Sequence, residues 1–450
     1  MLTLTSRKRA SSLALAISLA TGTAIVATAV FPTEASAQRR DRDRNSDETS
    51  GGGYGDAFRA AYAPLDEAIK TEGADLTSLR GQFASLGGLL STNDEKIAGG
   101  GLIFNAGIRL RDPELQLLGM ENMIASGKVP IESVGRYNFI AYQLSSQAGQ
   151  HAKSRTYLQG AIDYNFTTDT INGSALQIAM AESFFADNDL NAGFNYLNQA
   201  ISSRKAQGLG VEEQWYRRGV TVAYENEVVP TVYDFVTMWI NDYPSTDNWR
   251  DAVNVARNIN TFNNQEILDL FRLSRRVGAL QDASDYDYYV EAADARRLPR
   301  EVKDVIDEGM AAGVVSSGNL FITEALEVAN GRIESDLADL PALESDAMAA
   351  DAALRTVTAA GSAFLSYDEF AKAETFYTRA LGMEGVDRDE ALTRLGIAQV
   401  GLEKYDEARS SFGQVSGNRL PIARLWTAYA NELEQENAPE QPSLSDLMGA

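Results

Sequence analysis

The chain has 450 residues, of which 44% are hydrophobic, and its formal net charge is −23 at pH 7. That length and apolar content suffice for a large core, while the negative charge disfavours nucleic acid and anionic membrane surfaces, which repel an acidic protein. The absence of cysteine excludes disulfides, thiol nucleophiles, thiolate metal sites and an acylated lipoprotein cysteine. A single histidine, His151, excludes a two-histidine zinc site within one chain.

Residues 1–37 predict a secretory signal peptide. A basic start at Arg7, Lys8 and Arg9 precedes an uncharged, alanine-rich apolar run, and Pro32 and the small residues 35–37 follow it. An uncleaved anchor is the alternative, because the run is close to the length that spans a bilayer. Its many small and polar residues favour cleavage. The sequence therefore predicts a periplasmic or secreted protein, not a lipoprotein, that associates with membranes only through partners.

The two ends of the mature chain have the composition of unfolded segments. Residues 38–55 are rich in Gly, Arg and Asp and contain almost nothing apolar, which predicts a disordered linker. Residues 438–450, with Pro439 and Pro442, predict a flexible tail.

Between these ends, apolar residues recur at spacings of three and four, which is typical of helices. Three predicted helices share a pattern of side-chain size. On one face of each helix, a large, a small, a large and a small residue follow one another at steps of three, four and three. Its members are Phe370, Ala373, Tyr377 and Ala380; Tyr405, Ala408, Phe412 and Val415; and Leu190, Gly193, Leu197 and Ala200. In each case a small residue stands twelve positions before the second member, on the preceding helix. These residues are Gly361, Gly396 and Ala181.

The units resemble the tetratricopeptide repeat (TPR) family, whose unit is about 34 residues of helix–turn–helix. The matching residues are Leu392, Leu395, Gly396, Tyr405, Ala408 and Phe412 in the final unit, and Val357, Gly361, Phe364, Phe370, Ala373, Tyr377 and Ala380 in the preceding one. The resemblance implies an all-α solenoid of stacked antiparallel helix pairs. It also implies that first helices line a groove for a peptide or protein, with Glu182, Phe185 and Tyr216 facing that groove.

Two blocks are predicted: a degenerate helical repeat domain at 56–313 and a C-terminal TPR-like domain at 320–437. The acidic segment 330–348, interrupted by Pro341, predicts a loop or hinge between them. Segment 219–240 is rich in Val, Thr and Tyr, which is compatible with strands, but we interpret it as helical. The last helix, 421–436, is predicted to cap the open end of the array with a polar face, as stacked repeats require for solubility.

Several constellations suggest binding, each with a simpler alternative. Residues 187–191 begin like a calcium loop but lack its later glycine and glutamate, which favours a turn between helices. Three aspartates at 282, 285 and 287 favour a helix start over a cation site. His151 is interpreted as packing or turn structure. The aromatic cluster that contains Trp215 and Trp249 either fills the repeat core or presents rings to a sugar or peptide.

Together these features predict a scaffold or adaptor outside the cytoplasm that holds protein partners of the cell envelope, basic or neutral rather than acidic. Glycan or polysaccharide binding through the aromatic cluster is the alternative. An envelope hydrolase is less favoured, because no stretch has the composition of a compact catalytic domain. We expect no enzymatic activity, no cofactor, no metal and no nucleic acid partner.

Overall fold

The structure is a computed structural model that describes residues 53–437. This range folds into twenty α-helices joined by short turns and contains no strand. The helices are α1 Asp56–Lys70, α2 Arg80–Leu86, α3 Asn93–Leu110, α4 Pro113–Ala125, α5 Ile131–Gln147, α6 His151–Asp163, α7 Gly173–Ala186, α8 Leu190–Ala206, α9 Glu213–Glu225, α10 Val229–Asp242, α11 Thr246–Ile259, α12 Asn264–Arg276, α13 Ala283–Ala293, α14 Pro299–Ala311, α15 Leu320–Met348, α16 Leu354–Ser366, α17 Phe370–Leu381, α18 Arg388–Gly401, α19 Tyr405–Phe412 and α20 Leu420–Glu436. The predicted signal peptide, the predicted tail and all but the last three residues of the predicted linker lie outside the described residues.

Three helix pairs pack closely because a glycine on the first helix lets a ring from the second come close. The three pairs of this kind are Gly219 with Phe235, Gly361 with Tyr377 and Gly396 with Phe412. A Cβ atom on these glycines would lie 2.3, 3.0 and 2.4 Å from the ring. The ring is sixteen residues after the glycine in every case. This recurring contact confirms the predicted solenoid of helix pairs, with one small residue and one large residue in register.

The turns inside the pairs share one backbone conformation. The second residue after α7, α9, α16 and α18 has a left-handed φ of 56 to 59°. These residues are Asn188, Glu227, Asp368 and Glu403. A left-handed residue ends a helix by turning the chain back on itself, so the next helix begins antiparallel to the last. Residues 187–191 therefore form a turn between helices, as the sequence favoured.

Segment 219–240 is helical, as predicted, apart from the short turn at 226–228 between α9 and α10. The predicted loop at 330–348 is wrong, because these residues complete the 29-residue helix α15. Pro341 is exposed on that helix, whereas Ala347 is fully buried. Proline lacks an N–H, so one backbone hydrogen bond of α15 is lost, but it is lost on the exposed side, where water can replace it. Leu340 and Leu343, on either side of the proline, keep the helical spacing and pack toward the core.

The last helix occupies a different place from the one predicted. It packs against α10, α11, α12 and α18 as well as against its neighbour α19. Ile422, Leu425, Trp426 and Ala430 are each at most 1% exposed. A polar cap at an open end is therefore wrong. Helix α20 carries apolar residues on more than one face, so the fold buries it between the middle and the end of the array.

The hydrophobic core follows from this arrangement. One core cluster extends from Ile178 to Ala430 and includes residues of α7–α12 together with residues of α16–α20. A second cluster joins α12 to α15, and a third joins α1 to α4. Residues 54–437 form one compact unit, and the main core of that unit contains residues from both sides of the predicted boundary between 313 and 320. No helix within residues 53–437 has the length and apolar character needed to cross a membrane.

Candidate functional site

The aromatic residues singled out as partner or glycan contacts lie in the core. Trp215 and Tyr216 have no exposed surface and Trp249 is 2% exposed. The Tyr216 hydroxyl donates to the carboxylate of Asp242, and the Trp249 indole N–H donates to Glu432 at 2.8 Å. These rings have no face free for a sugar or a peptide, so the structure supports the interpretation that they fill the core.

Because these tryptophans are buried, their substitution is a poor test of glycan binding. Replacing a buried Trp by Ala leaves a large cavity and costs about 3–5 kcal/mol. Loss of glycan retention in a Trp215→Ala or Trp249→Ala chain would therefore report unfolding as readily as a lost contact.

Glu182 and Phe185 occupy a partly exposed position on α7, and the structure joins them to a residue that the sequence did not indicate. Arg218 of α9 donates two hydrogen bonds to the Glu182 carboxylate, at 2.5 and 2.7 Å. The same guanidinium lies 6.0 Å from the centre of the Phe185 ring. The three side chains form one neutral cluster across two first helices. That they contact a partner stays a prediction.

The aspartate-rich segments act as helix caps and pairing residues. Asp189 accepts a hydrogen bond from the Ala192 N–H at the start of α8, and Asp187 pairs with Arg155 at 2.9 Å. Asp282 precedes α13, and its backbone N–H donates to Asp285 in a capping box. The predicted turn and helix start are thus confirmed. In the described part of the chain, no group of three or more His, Asp or Glu side chains could hold a metal ion.

His151 is the first residue of α6 and is partly buried. Its backbone carbonyl accepts a hydrogen bond from the Ser154 hydroxyl at 2.8 Å. The residue therefore stands at a helix start, as the sequence indicated.

A cavity of about 450 Å³ lies between the starts of α12 and α18. Its lining is polar and includes Asn263, Glu266, Asp389, Asn418 and Arg419. The acids there already have partners within the chain: Glu266 accepts from Asn418 at 2.8 Å, and Asp389 accepts from the Ser416 N–H at 2.8 Å. The cavity walls thus tie the start of α12 to the turn before α20.

Beneath this cavity is a buried network of ion pairs centred on Asp269 of α12. Its carboxylate has no exposed surface and meets three guanidinium groups. Arg272 lies 3.0 Å away, Arg394 of α18 lies 3.1 Å away and Arg419 lies 2.6 Å away. The backbone carbonyl of Asp269 also accepts from the Trp426 indole N–H at 2.9 Å. One residue therefore holds α12, α18 and α20 together.

The network continues to the helices that follow α12. Arg272 donates two hydrogen bonds of 2.7 Å to Glu301 of α14, and the Tyr289 hydroxyl of α13 donates to the same carboxylate at 2.9 Å. Every member is at most 7% exposed. Buried charges are tolerated only when they are paired and hydrogen-bonded in this way.

The electrostatics of Asp269 follow from these contacts. Burial alone would raise the pKa of the carboxyl, but the charges of Arg394, Arg419 and Arg272 outweigh it and lower the pKa to about 2. Burial likewise opposes ionisation of Glu301, yet the charge and hydrogen bonds of Arg272 lower the pKa of that carboxyl. Both acids are therefore ionised near neutral pH and act as structural anions, not as proton donors.

Sequence analysis missed this network, although one signal was available. Helix α18 is buried from Ala391 to Val400, and Arg394 is the one charged residue in that stretch. A charge inside an otherwise buried helix requires a partner of opposite sign. The sequence could not indicate which acid, because Asp269 lies 125 residues earlier.

Known proteins resemble this chain in structure but not in sequence. No family model and no curated protein matches the chain. Among solved structures, it is similar to the TPR domain of P58(IPK), with 11% identity, 85% of this chain and 100% of that chain covered, and a TM-score of 0.21. It is also similar to yeast Tom70, with 10% identity, 88% and 99% coverage, and a TM-score of 0.19. At these TM-scores the likeness carries no argument, so the TPR-like fold rests on the helix pairs themselves.

Proposed function

We propose that this chain is a scaffold or adaptor that holds protein partners outside the cytoplasm, in the cell envelope. The observation that carries the proposal is that the candidate small-ligand sites are already filled by contacts within the chain. The aromatic rings fill the core, helix α20 lies between α10, α12 and α18, and the acids of the polar cavity are paired within the chain. Recognition is therefore assigned to extended helix faces, and such faces suit protein surfaces better than small substrates.

The envelope location rests on the sequence. The basic start, apolar run and small residues of segment 1–37 support export, and the net charge of −23 supports basic or neutral partners. The test of export is the mass of the protein recovered from each cell fraction. We expect a chain that begins at Gln38 in the periplasm or the medium. An intact chain that retains residues 1–37 in the membrane would contradict cleavage.

The test of the scaffold function is crosslinking in the native cell envelope, followed by affinity capture of the tagged mature chain and mass spectrometry. We expect one or two protein partners in stoichiometric amounts. The control is the same tagged chain without residues 1–37, which should stay in the cytoplasm and fail to capture an envelope partner. Recovery of the wild-type chain alone would contradict the proposal.

A further inference from the structure

Helix α15 is unlike the other helices in length and burial. It has 29 residues, whereas the next longest, α3, has 18. Only Ile322, Ala329 and Ala347 are fully buried. These three residues lie on one side of the helix, since each is separated from the next by a number of residues close to whole helical turns. The opposite side, along nearly the whole length of α15, faces solvent.

The exposed side of α15 is strongly acidic, and its charges are not neutralised by the chain. Five exposed acids have no ion pair with any residue in the described range. They are Glu324, Glu327, Glu334, Asp339 and Asp346. The only basic residue of the helix is Arg332. The preceding helix, α14, shows the contrast, because Asp304 and Asp307 pair there with Arg300 and Lys303.

Apolar side chains are exposed beside these acids. Leu320 is 70% exposed, Leu337 is 46% exposed and Met348 is 55% exposed. Leu320, Glu324 and Glu327 follow one another at spacings of four and three, so they share one face of the helix. A surface with exposed apolar residues between unpaired charges of one sign is suited to bind a partner. That partner would carry apolar residues and the opposite charge at the same spacing.

We propose that the exposed face of α15 binds a basic amphipathic segment of a partner protein; this inference rests on the proposed scaffold function. Lysine or arginine side chains would pair with Glu324, Glu327 and Glu334, and apolar side chains of the segment would cover Leu320 and Leu337. A second copy of this chain is disfavoured as the occupant, because two such faces would bring like charges together.

The direct test uses a synthetic 18-residue lysine–leucine peptide with helical amphipathic spacing, titrated into the mature chain and followed by fluorescence anisotropy. The test variant is Glu324→Lys, Glu327→Lys and Glu334→Lys together. The control variant makes the same change at three exposed, unpaired glutamates elsewhere, Glu132, Glu225 and Glu291. Both variants shift the net charge equally, so nonspecific attraction is matched. Because all six positions are exposed, both variants should unfold at the wild-type temperature.

We expect the α15 variant to bind the peptide at least about tenfold more weakly than wild type, and the control variant to bind it as wild type does. A separate Leu337→Ser variant should also weaken binding, with a loss that persists at high salt because it is not electrostatic. Equal affinity for wild type and the α15 variant would overturn the proposal. An equal loss in the control variant would also overturn it, because binding would then follow net charge alone.

Capture from the cell envelope separates this inference from the function on which it rests. If wild type captures a partner and the α15 variant captures it equally well, the α15 site is wrong and the scaffold function stands. If wild type captures no partner, the scaffold function itself fails, whatever the peptide does.

Discussion

The acidic residues of the Asp269 network and those of α15 belong to the same chain, but the first are buried and paired and the second are exposed and unpaired. Asp269 lies at the junction of α12, α18 and α20, without exposed surface, and three arginines neutralise it. The five exposed acids of α15 have no ion pair within the described residues. The carboxylates of the Asp269 network stabilise the fold from inside, and those of α15 remain free to pair with another molecule.

The difference shows what decides the role of a carboxylate in a helical repeat. Asp269 sits where helices distant in sequence converge, so each can supply a guanidinium to it. Helix α15 has neighbours on one side only, chiefly α14 and α16, so its outer face receives no such side chain. In this chain, the number of helices around a position therefore decides whether an acid is paired inside the fold or stays unpaired at the surface.

The largest expected effect is at the junction. Asp269→Asn removes one carboxylate from this cluster. Arg272 keeps its pair with Glu301 and Arg394 keeps its pair with Glu390, so one positive charge beside Arg419 is left uncompensated in the core. We expect the free energy of unfolding to fall by about 3–5 kcal/mol, measured by urea denaturation followed by circular dichroism. Asp307→Asn, which breaks an exposed ion pair, is the control and should change it by less than about 1 kcal/mol. Equal stability of the two variants would contradict a stabilising role for the network.

Low pH should also reveal how much the Asp269 carboxylate stabilises the fold. The pKa of Asp269 is lowered to about 2, so its contribution to stability is complete above the unfolded pKa near 4 and is lost as pH falls toward 2. We expect this carboxyl to account for about 2–3 kcal/mol of the loss in unfolding free energy across that range. Urea denaturation between pH 5 and about pH 2 would measure it. Parallel pH curves for wild type and Asp269→Asn would rule the assignment out.

A smaller effect is expected where two helices approach closely. Gly396→Ala would place a Cβ atom 2.4 Å from the Phe412 ring, so α18 and α19 would have to separate. We expect a loss of about 1–3 kcal/mol in unfolding free energy by urea denaturation. A variant as stable as wild type would show that the pair is more loosely packed than the structure indicates.

The smallest effect is expected on α15, and its sign is opposite. Gly331 lies within α15, and a Cβ atom there would meet nothing within 4 Å. Gly331→Ala should therefore raise the free energy of unfolding by about 1 kcal/mol or less, because alanine favours a helix over glycine. A decrease, measured in the same way, would indicate that this segment is not helical.

The sequence predicted the helix pairs because their signal is local. Gly396 and Phe412 lie within one repeat, and their spacing recurs at Gly361 and Tyr377. It did not predict the second half of α15, because Pro341 and a run of acids resemble a loop when the helical spacing of Leu340, Leu343 and Ala347, which pack on the core, is overlooked. The proline is tolerated because it stands on the exposed side.

The candidate site residues were harder to predict, because their contacts join residues that lie far apart in the sequence. Composition indicated Trp215 and Trp249 but could not show that another helix covers them. The partner of the Trp249 indole, Glu432, is 183 residues away, and no periodicity in a single sequence relates two positions at that distance. The Asp269 network was missed for this reason too.

The position of α20 has a consequence for how the chain folds. Repeat arrays usually fold through contacts between neighbours, so each unit can form as soon as it is synthesised. Here the core around Trp249 and Asp269 is completed by a helix that is synthesised near the end of the chain. Closing so long a loop slows folding, and until α20 docks the middle helices expose apolar surface. Such a delay would suit the export proposed above, because the core around Trp249 and Asp269 stays open until α20 docks.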